Sequence, residues 1–404
     1  MSTIQELLRE LCPTGVEHKT LGEIGTDFYR GSGITRDQVT DSGTPCVRYG
    51  EIYTDYGAWF DSCHSFTDAA KIKSPKYCEH GDILFAITGE KVEDIAKSTA
   101  YVGKGDCLVG GDIVVMKHHQ NPKYLGYALA TRNAILQKMH GKVKSKVVHS
   151  SVPEVQKISI PLPPLPVQEE IVRRLDAMQD VVEALENELA LRRKQYEAVR
   201  ERLIDRVAGG ESHKLQDLFH FRNGYTPSKS NPNLWTGGSI PWFRMEDIRE
   251  NGRILSDSIL HVTESAVKGE LFPANSLILS TSATIGEYAL LLVPALANQR
   301  FTCLSVKAPF KGRLLPRFVF HCAPLLSSFC LSHIHVGNFN AVDMTQLKEF
   351  DFPLPSLAVQ EEIAKKLDTF DELVNETLPA EIAARRRAAE AVREACFAAL
   401  EKAG

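Results

Sequence analysis

The chain has no apolar run long enough to cross a membrane. Its most apolar stretch, from Tyr288 to Ala297, is about half the ~20 residues a spanning helix requires, and Pro294 interrupts it. The N-terminus lacks the apolar block and small-residue cleavage site of a signal peptide; Ile4, Leu7, Leu8 and Leu11 are spaced instead as a short amphipathic helix. The nine cysteines (Cys12, Cys46, Cys63, Cys78, Cys107, Cys303, Cys322, Cys330 and Cys396) contain no Cys-x-x-Cys pair and no spacing shared between the two halves. That argues against a disulfide framework and points to a cytoplasmic location. Charge of one sign is missing as well: 47 basic against 51 acidic residues leave a net charge of −4, so any nucleic-acid contact must be local.

Catalytic signatures are equally scarce. No Gly-x-x-x-x-Gly-Lys-Ser/Thr loop exists to cradle nucleotide phosphates, and no Gly-x-Ser-x-Gly elbow presents a nucleophile. Asn121-Pro-Lys-Tyr124 comes near the Asn/Asp-Pro-Pro-Tyr/Phe element that holds a flipped adenine, but no Gly-rich cofactor fingerprint accompanies it, and Asn-Pro is common at turns. Cys63, His64, Cys78 and His80 have metal-binding chemistry, yet their spacing matches no common zinc module and the second half has no equivalent. The expectation is a chain with no catalytic residue and no metal site.

What the chain does have is a long repeat. Pro161-Leu-Pro-Pro-Leu-Pro-Val-Gln-Glu-Glu-Ile171 returns as Pro353-Leu-Pro-Ser-Leu-Ala-Val-Gln-Glu-Glu-Ile363, a separation of 192 residues. Solenoid units run to about 20–50 residues, so each repeat here must hold a complete domain. Residues 17–160 and 210–352 read as mixed domains rich in short strands, such as Asp82-Ile-Leu-Phe-Ala-Ile-Thr88, separated by Gly-rich turns. Between and after them, residues 161–209 and 353–404 read as long helices, with 1–16 as an N-terminal helix. Shared framework positions align loosely: Gly33-Ile-Thr35 with Gly224-Tyr-Thr226, His18-Lys19 with His213-Lys214, and Arg48 with Arg244.

The helical segments carry a coiled-coil seam. Ile171, Leu175, Met178, Val182, Leu185, Leu189, Tyr196, Val199 and Leu203 alternate steps of four and three apart from one polar slot at Arg192. Ile363, Leu367, Phe370 and Val374 repeat the spacing, and Ile382 and Val392 continue it after one inserted residue near Asn375-Glu-Thr-Leu-Pro379. A proline there removes a hydrogen bond and crowds the preceding turn, which predicts a kink or break near Leu378. The segment Gln5 to Lys19 resembles Arg200 to Lys214, so α-helical ends precede both domains and the two termini should lie close together.

Two variable domains, each closed by Pro-Leu-Pro-x-Leu-x-x-Gln-Glu-Glu-Ile at the head of a long helix, resemble the specificity subunit of type I restriction-modification enzymes along the full chain. The resemblance implies an α+β molecule with two target-recognition domains separated by two long helices forming an antiparallel coiled coil, in circular pseudo-two-fold symmetry. Each domain would read one half of a split site in double-stranded DNA, and the helices would act as a spacer that docks the partners. Those partners would be two adenine-N6 methyltransferase subunits and ATP-dependent restriction subunits. S-adenosylmethionine, ATP and Mg would bind them rather than this chain.

Side-chain chemistry then nominates DNA contacts. The strongest local cluster is Lys142, Lys144 and Lys146, which alternate along one extended segment. Arg30, Thr35, Arg36, Arg48 and Tyr49 join them in the first domain; Arg222, Tyr225, Thr226, Ser228, Lys229, Arg244, Arg300, Asn338 and Asn340 are their counterparts in the second. Arg48 and Arg244 occupy matching framework positions, which favours a structural or phosphate-directed role, and Trp242 in its apolar run favours burial. Two other readings of the chain remain: a stand-alone DNA methyltransferase or nuclease with diverged motifs, and a coiled-coil scaffold that never touches DNA.

Overall fold

The computed structural model describes residues 4–139, 142–144, 147–335 and 340–402. Six helices carry the architecture: α1 (Ile4–Leu11), α2 (Pro122–Leu129), α3 (Leu165–Ala208), α4 (Pro316–Ser332), α5 (Leu357–Glu372) and α6 (Leu378–Lys402). Two compact units emerge, Met1–Ala184 with Ile382–Gly404, and Leu185–Glu381. Both boundaries fall inside the long helices rather than at the Pro-Leu-Pro segments. Each unit therefore combines one mixed domain with the start of the helix that follows it and the end of the other.

In the first unit, a five-stranded sheet has the spatial order Gly25–Arg30, Ile113–His118, Ile83–Ala86, Ser98–Tyr101 and Trp59–Phe60, antiparallel except for its last pair. The Ile83–Ala86 strand is buried on both faces, which explains its unbroken apolar run. A second five-stranded sheet brings Thr44–Val47 parallel to Cys107–Val109. The second unit repeats the plan: Phe219–Asn223, Phe301–Val306, Ser276–Ser280, Tyr288–Leu291 and Ile254–Leu255 form the large sheet. Its smaller sheet sets Ile240–Phe243 parallel to Leu296–Ala297.

Along the seam Ile171, Leu175, Val182, Tyr196, Leu203, Ile363, Leu367, Val374 and Ile382 are buried, whereas Met178, Leu185, Leu189, Val199, Phe370 and Val392 are half-buried. Ile171 and Leu175 at the start of α3 share one core with Cys396, Phe397 and Leu400 at the end of α6, together with Ile4 and Leu8 of α1. In the other unit Tyr196, Leu203 and Ile204 at the end of α3 share a core with Ile363 and Leu367 at the start of α5, and Phe370 packs against it. Start against end in both cases is antiparallel pairing. The N-terminal helix thus lies beside the end of the distal helix in one core, as expected. Each fully buried aliphatic or aromatic side chain in these cores contributes about 1.5–3 kcal/mol.

Helix α3 begins at Leu165, with Pro166 in its first turn, where a missing N–H costs nothing. Near Pro379 the helix does not break: Leu373–Thr377 forms one π turn that runs directly into α6. Widening the hydrogen-bond pattern from four to five residues absorbs the single inserted residue and leaves no donor required of Pro379.

Candidate nucleic-acid interface

The Gly25–Arg30 strand leaves its sheet at Gly31, whose backbone approaches the neighbouring chain so closely that an added Cβ would sit 2.2 Å from the Gly110 carbonyl oxygen. Gly224 is in the same position, with an added Cβ 2.1 Å from the Asn298 carbonyl oxygen. Only glycine fits either place. Main-chain bonds confirm the match: Gly31 N donates to Ile113 O and Ser32 N to Val109 O, as Gly224 N does to Phe301 O and Tyr225 N to Ala297 O. The alignment of Gly33-Ile-Thr35 with Gly224-Tyr-Thr226 is therefore two residues out of register. Likewise Leu162 N bonds to Glu17 O and Leu354 N to Glu211 O, so the equivalent of Lys19 is His213 rather than Lys214. Hydrogen-bonded register, not similarity of side chains, sets equivalence.

A polar edge forms around these crossing points. In the first unit Arg30, 58% exposed, donates from Nη2 to Gly111 O at 3.2 Å and to Asp112 Oδ1 at 3.4 Å. The Thr88 hydroxyl lies 3.2 Å from both Asp112 Oδ1 and His149 Nδ1. His149 belongs to a hairpin in which Lys142–Lys144 pairs with Val147–His149, and that hairpin pairs in turn with Thr88–Gly89. The lysine segment thus joins the edge that holds Arg30; Lys146, like Asn338 in the second unit, lies outside the described residues. Thr35 and Arg36 are exposed at a short 3-10 helix, Arg36–Gln38.

The second unit offers different chemistry at the matching edge. Where the first has Gly110-Gly-Asp112, the second has Asn298-Gln-Arg300. Gln299 Oε1 accepts from the Thr226 hydroxyl, Arg300 is exposed, and Thr302 donates to Asn223 Oδ1 at 2.9 Å while meeting Thr281 at 2.9 Å. Asn340 lines a cleft of about 600 Å³ with Arg249, Arg253 and Thr284. Ser228 and Lys229 are exposed on the loop that follows Thr226. Asn298, Gln299, Asn223 and, in the first unit, Thr88 and Asp112 were missed from sequence. The visible signal was an amide-amide-guanidinium triplet at the start of a strand.

Other candidates are occupied elsewhere. Arg48 Nε donates to Glu51 Oε1 at 3.0 Å, and buried Glu51 also caps the Arg48 amide, so this arginine secures the head of the Tyr49–Thr54 helix. Arg244 caps similarly through its amide, which donates to the buried Asp247 at 2.6 Å. Tyr49, next to Arg48, is 40% exposed. Arg222 lies over the Phe272 ring at 4.7 Å. The Tyr225 hydroxyl donates to Ala266 O and accepts from Lys268 N, which fixes it to a loop. Trp242 is 2% exposed with its indole N–H on Tyr225 O, a buried tryptophan as its sequence context indicates. Asn121 caps α2 by accepting from Tyr124 N, and Tyr124 is fully buried with its hydroxyl on Pro161 O, so neither side chain can hold a base. Among the described residues no three His, Cys, Asp or Glu side chains are grouped to hold a metal.

The repeated Pro-Leu-Pro motif turns out to carry a buried clamp. Gln168 Oε1 accepts from Asn121 N, and its Nε2 donates to Pro163 O and Gln120 Oε1. Gln360 Oε1 accepts from Leu315 N, and its Nε2 donates to Pro355 O and Arg313 O. Both glutamines are fully buried, and each ties the head of a long helix to the first turn of the domain helix beside it. About two turns on, Asp176 accepts from Lys123 at 2.6 Å and Tyr127 at 2.8 Å. Its counterpart Asp368 receives Arg317 and His321, each at 2.6 Å. Burial alone would raise the Asp368 pKa, but the bonds from His321 and Arg317, with the charge of Arg317, leave it below the ordinary value.

A family model for the type I restriction modification DNA specificity domain matches the chain twice, over residues 13–191 and 209–384. The chain belongs to that family. It is 48% identical over 170 residues to the type I restriction enzyme EcoprrI specificity subunit of Escherichia coli, covering 40% of this chain and 42% of that protein. It is 33% identical over 261 residues to the EcoR124I/EcoR124II specificity subunit of the same species, 60% and 63% of the two lengths. The matched region thus spans less than two thirds of either relative. Among solved structures, the S subunit from M. genitalium superimposes with a TM-score of 0.51 at 12% identity over 94% of this chain and 96% of that one. A chain from a study of complex assembly and conformational transition of the type I R-M system gives 0.60 at 17% identity over 95% and 98%. At such identities the likeness establishes the fold: two mixed domains and long antiparallel helices. No helix among the described residues is long and apolar enough to cross a membrane.

Proposed function

We propose that this member of the specificity family is a non-catalytic DNA reader whose two domains recognise unlike halves of a split site, while bound partners supply methylation and cleavage. The observation that carries the reading is the contrast at one shared position. Two domains of the same fold present Gly110-Gly-Asp112 at one edge and Asn298-Gln-Arg300 at the other. Amides suit the adjacent acceptor and donor of adenine, and a guanidinium suits the two acceptors of guanine, whereas Gly-Gly-Asp offers backbone groups and one acceptor for cytosine N4.

With a net charge of −4, phosphate contacts must come from local groups such as Arg300, Lys229 and the Lys142–Lys144 strand. The 44 residues of α3 are one uninterrupted helix, about 66 Å at 1.5 Å per residue, which suits a spacer between readers of major grooves roughly 34 Å apart. In this reading the docked subunits are an adenine-N6 methyltransferase and an ATP-dependent restriction subunit, and S-adenosylmethionine, ATP and Mg act on them.

The test is to assemble the chain with its host's methyltransferase subunits and map methylated adenines across a genome. A split site is expected. Gln299→Ala should relax one half-site and leave the other unchanged, with each lost base discrimination about 1–3 kcal/mol. Relaxation of both halves together, or methyl transfer by the isolated chain, overturns the proposal.

A further inference from the structure

The first domain gathers three thiols that its second copy lacks. Cys107 and Cys78 face each other as cross-strand partners, and Cys63, on the loop after Trp59–Phe60, brings its Sγ to 2.8 Å from Cys107 Sγ. That separation is under about 1 Å beyond a covalent S–S bond of roughly 2.04 Å. The equivalent place in the second domain is filled by ordinary packing: Phe272 pairs with Ala295, two residues before Ala297 as Cys107 is two before Val109. A ring against a methyl fills the same site, so the fold does not require thiols there. Cys78 and Cys107 are buried, while Cys63 is partly buried. The hydrogen bond shared with Cys107 lowers the Cys63 pKa, outweighing burial and the nearby Glu51 carboxylate. A thiol that is only partly buried, more acidic than usual and next to a second thiol has the features of a peroxide-sensitive cysteine.

We propose that Cys63 is an oxidation site with Cys107 as its resolving partner, a modification independent of the DNA-reading role. Hydrogen peroxide is the oxidant. The Cys63 sulfur attacks one peroxide oxygen, the O–O bond breaks, and sulfenic acid forms with release of one water. The Cys107 sulfur then attacks the Cys63 sulfur, displacing the hydroxyl as a second water and closing the disulfide. Two thiols and one peroxide become one disulfide and two waters, the thiols losing two electrons in all.

The test is done on the full chain treated with dilute peroxide, alkylated and digested with trypsin. The three thiols fall on separate peptides, Tyr49–Lys71, Tyr77–Lys91 and Gly105–Lys117. The expected product joins the first to the third, with alkylation of Cys63 reduced about tenfold or more and restored by dithiothreitol. Cys107→Ala, which places at that site the residue found at Ala295, should trap Cys63 as a sulfenic acid that dimedone labels. Should that variant fail to fold, Cys63→Ser on the loop serves instead, and Cys107 should then escape oxidation. Undiminished alkylation of Cys63, a Cys78–Cys107 product in its place, or dimedone spread evenly over the cysteines overturns the proposal.

Discussion

Replacing Gln360 with leucine keeps the volume of a fully buried side chain and removes one acceptor and two donor bonds. The Leu315 amide, at the N-cap of α4, loses its hydrogen-bond acceptor, and an orphaned group of that kind costs about 1–3 kcal/mol. Arg313 is exposed, so water can replace the lost donor at its carbonyl at little cost; the half-buried Pro355 carbonyl adds about 1 kcal/mol, and the apolar gain of leucine offsets a similar amount. The net expectation is about 2 kcal/mol. For a unit of this size that corresponds to a melting shift of roughly 4–8 °C. Amide exchange at Leu315 should accelerate about 30-fold where local opening governs it. Thermal unfolding and residue-resolved hydrogen exchange read the two effects, and Gln168→Leu should behave likewise at Asn121. A shift below about 1 °C with unchanged exchange at Leu315 would refute the clamp as a source of stability.

Other consequences concern charge and length. Lys138 is fully buried, with Nζ on Ser98 Oγ and Leu129 O, and burial with the nearby Lys97 pushes its amine down to about 7. The unfolded chain then binds more protons between about pH 7 and 10, so stability relative to Lys138→Met should rise with pH across that window by at most about 1.4 kcal/mol per unit; a flat difference in urea denaturation contradicts this. Asp368 has the opposite sign: its lowered pKa lends stability that is complete above about pH 4 and lost as the pH falls through the folded value. The gap between wild type and Asp368→Asn should be constant from neutral pH to about 5 and close below 4, and acid unfolding curves that stay parallel argue against it. Inserting one heptad into both long helices should lengthen the spacer of the selected site by about 10 Å, roughly three base pairs; sites with the original spacing sink the ruler.

The sequence alone determined the features that depend on local chemistry and periodicity. Duplication was legible in the twice-written Pro-Leu-Pro segment, paired long helices in the seam from Ile171 to Leu203 and from Ile363 to Val392, and burial of Trp242 in its apolar neighbours, because each follows from residue type at short range. The tertiary structure decided whatever depends on partners distant in the chain. Only hydrogen-bond register shows that Gly31, not Gly33, corresponds to Gly224. Only packing turns Arg48 toward Glu51 and Arg222 onto Phe272, and sets Gln299 against Thr226 at the exposed edge. The Gln in the repeated motif was visible twice, but its role as a clamp required the amides of Asn121 and Leu315, each more than 40 residues away, to arrive beside it. A side chain's type is written in the sequence, whereas its direction and its partner are settled by the fold that encloses it.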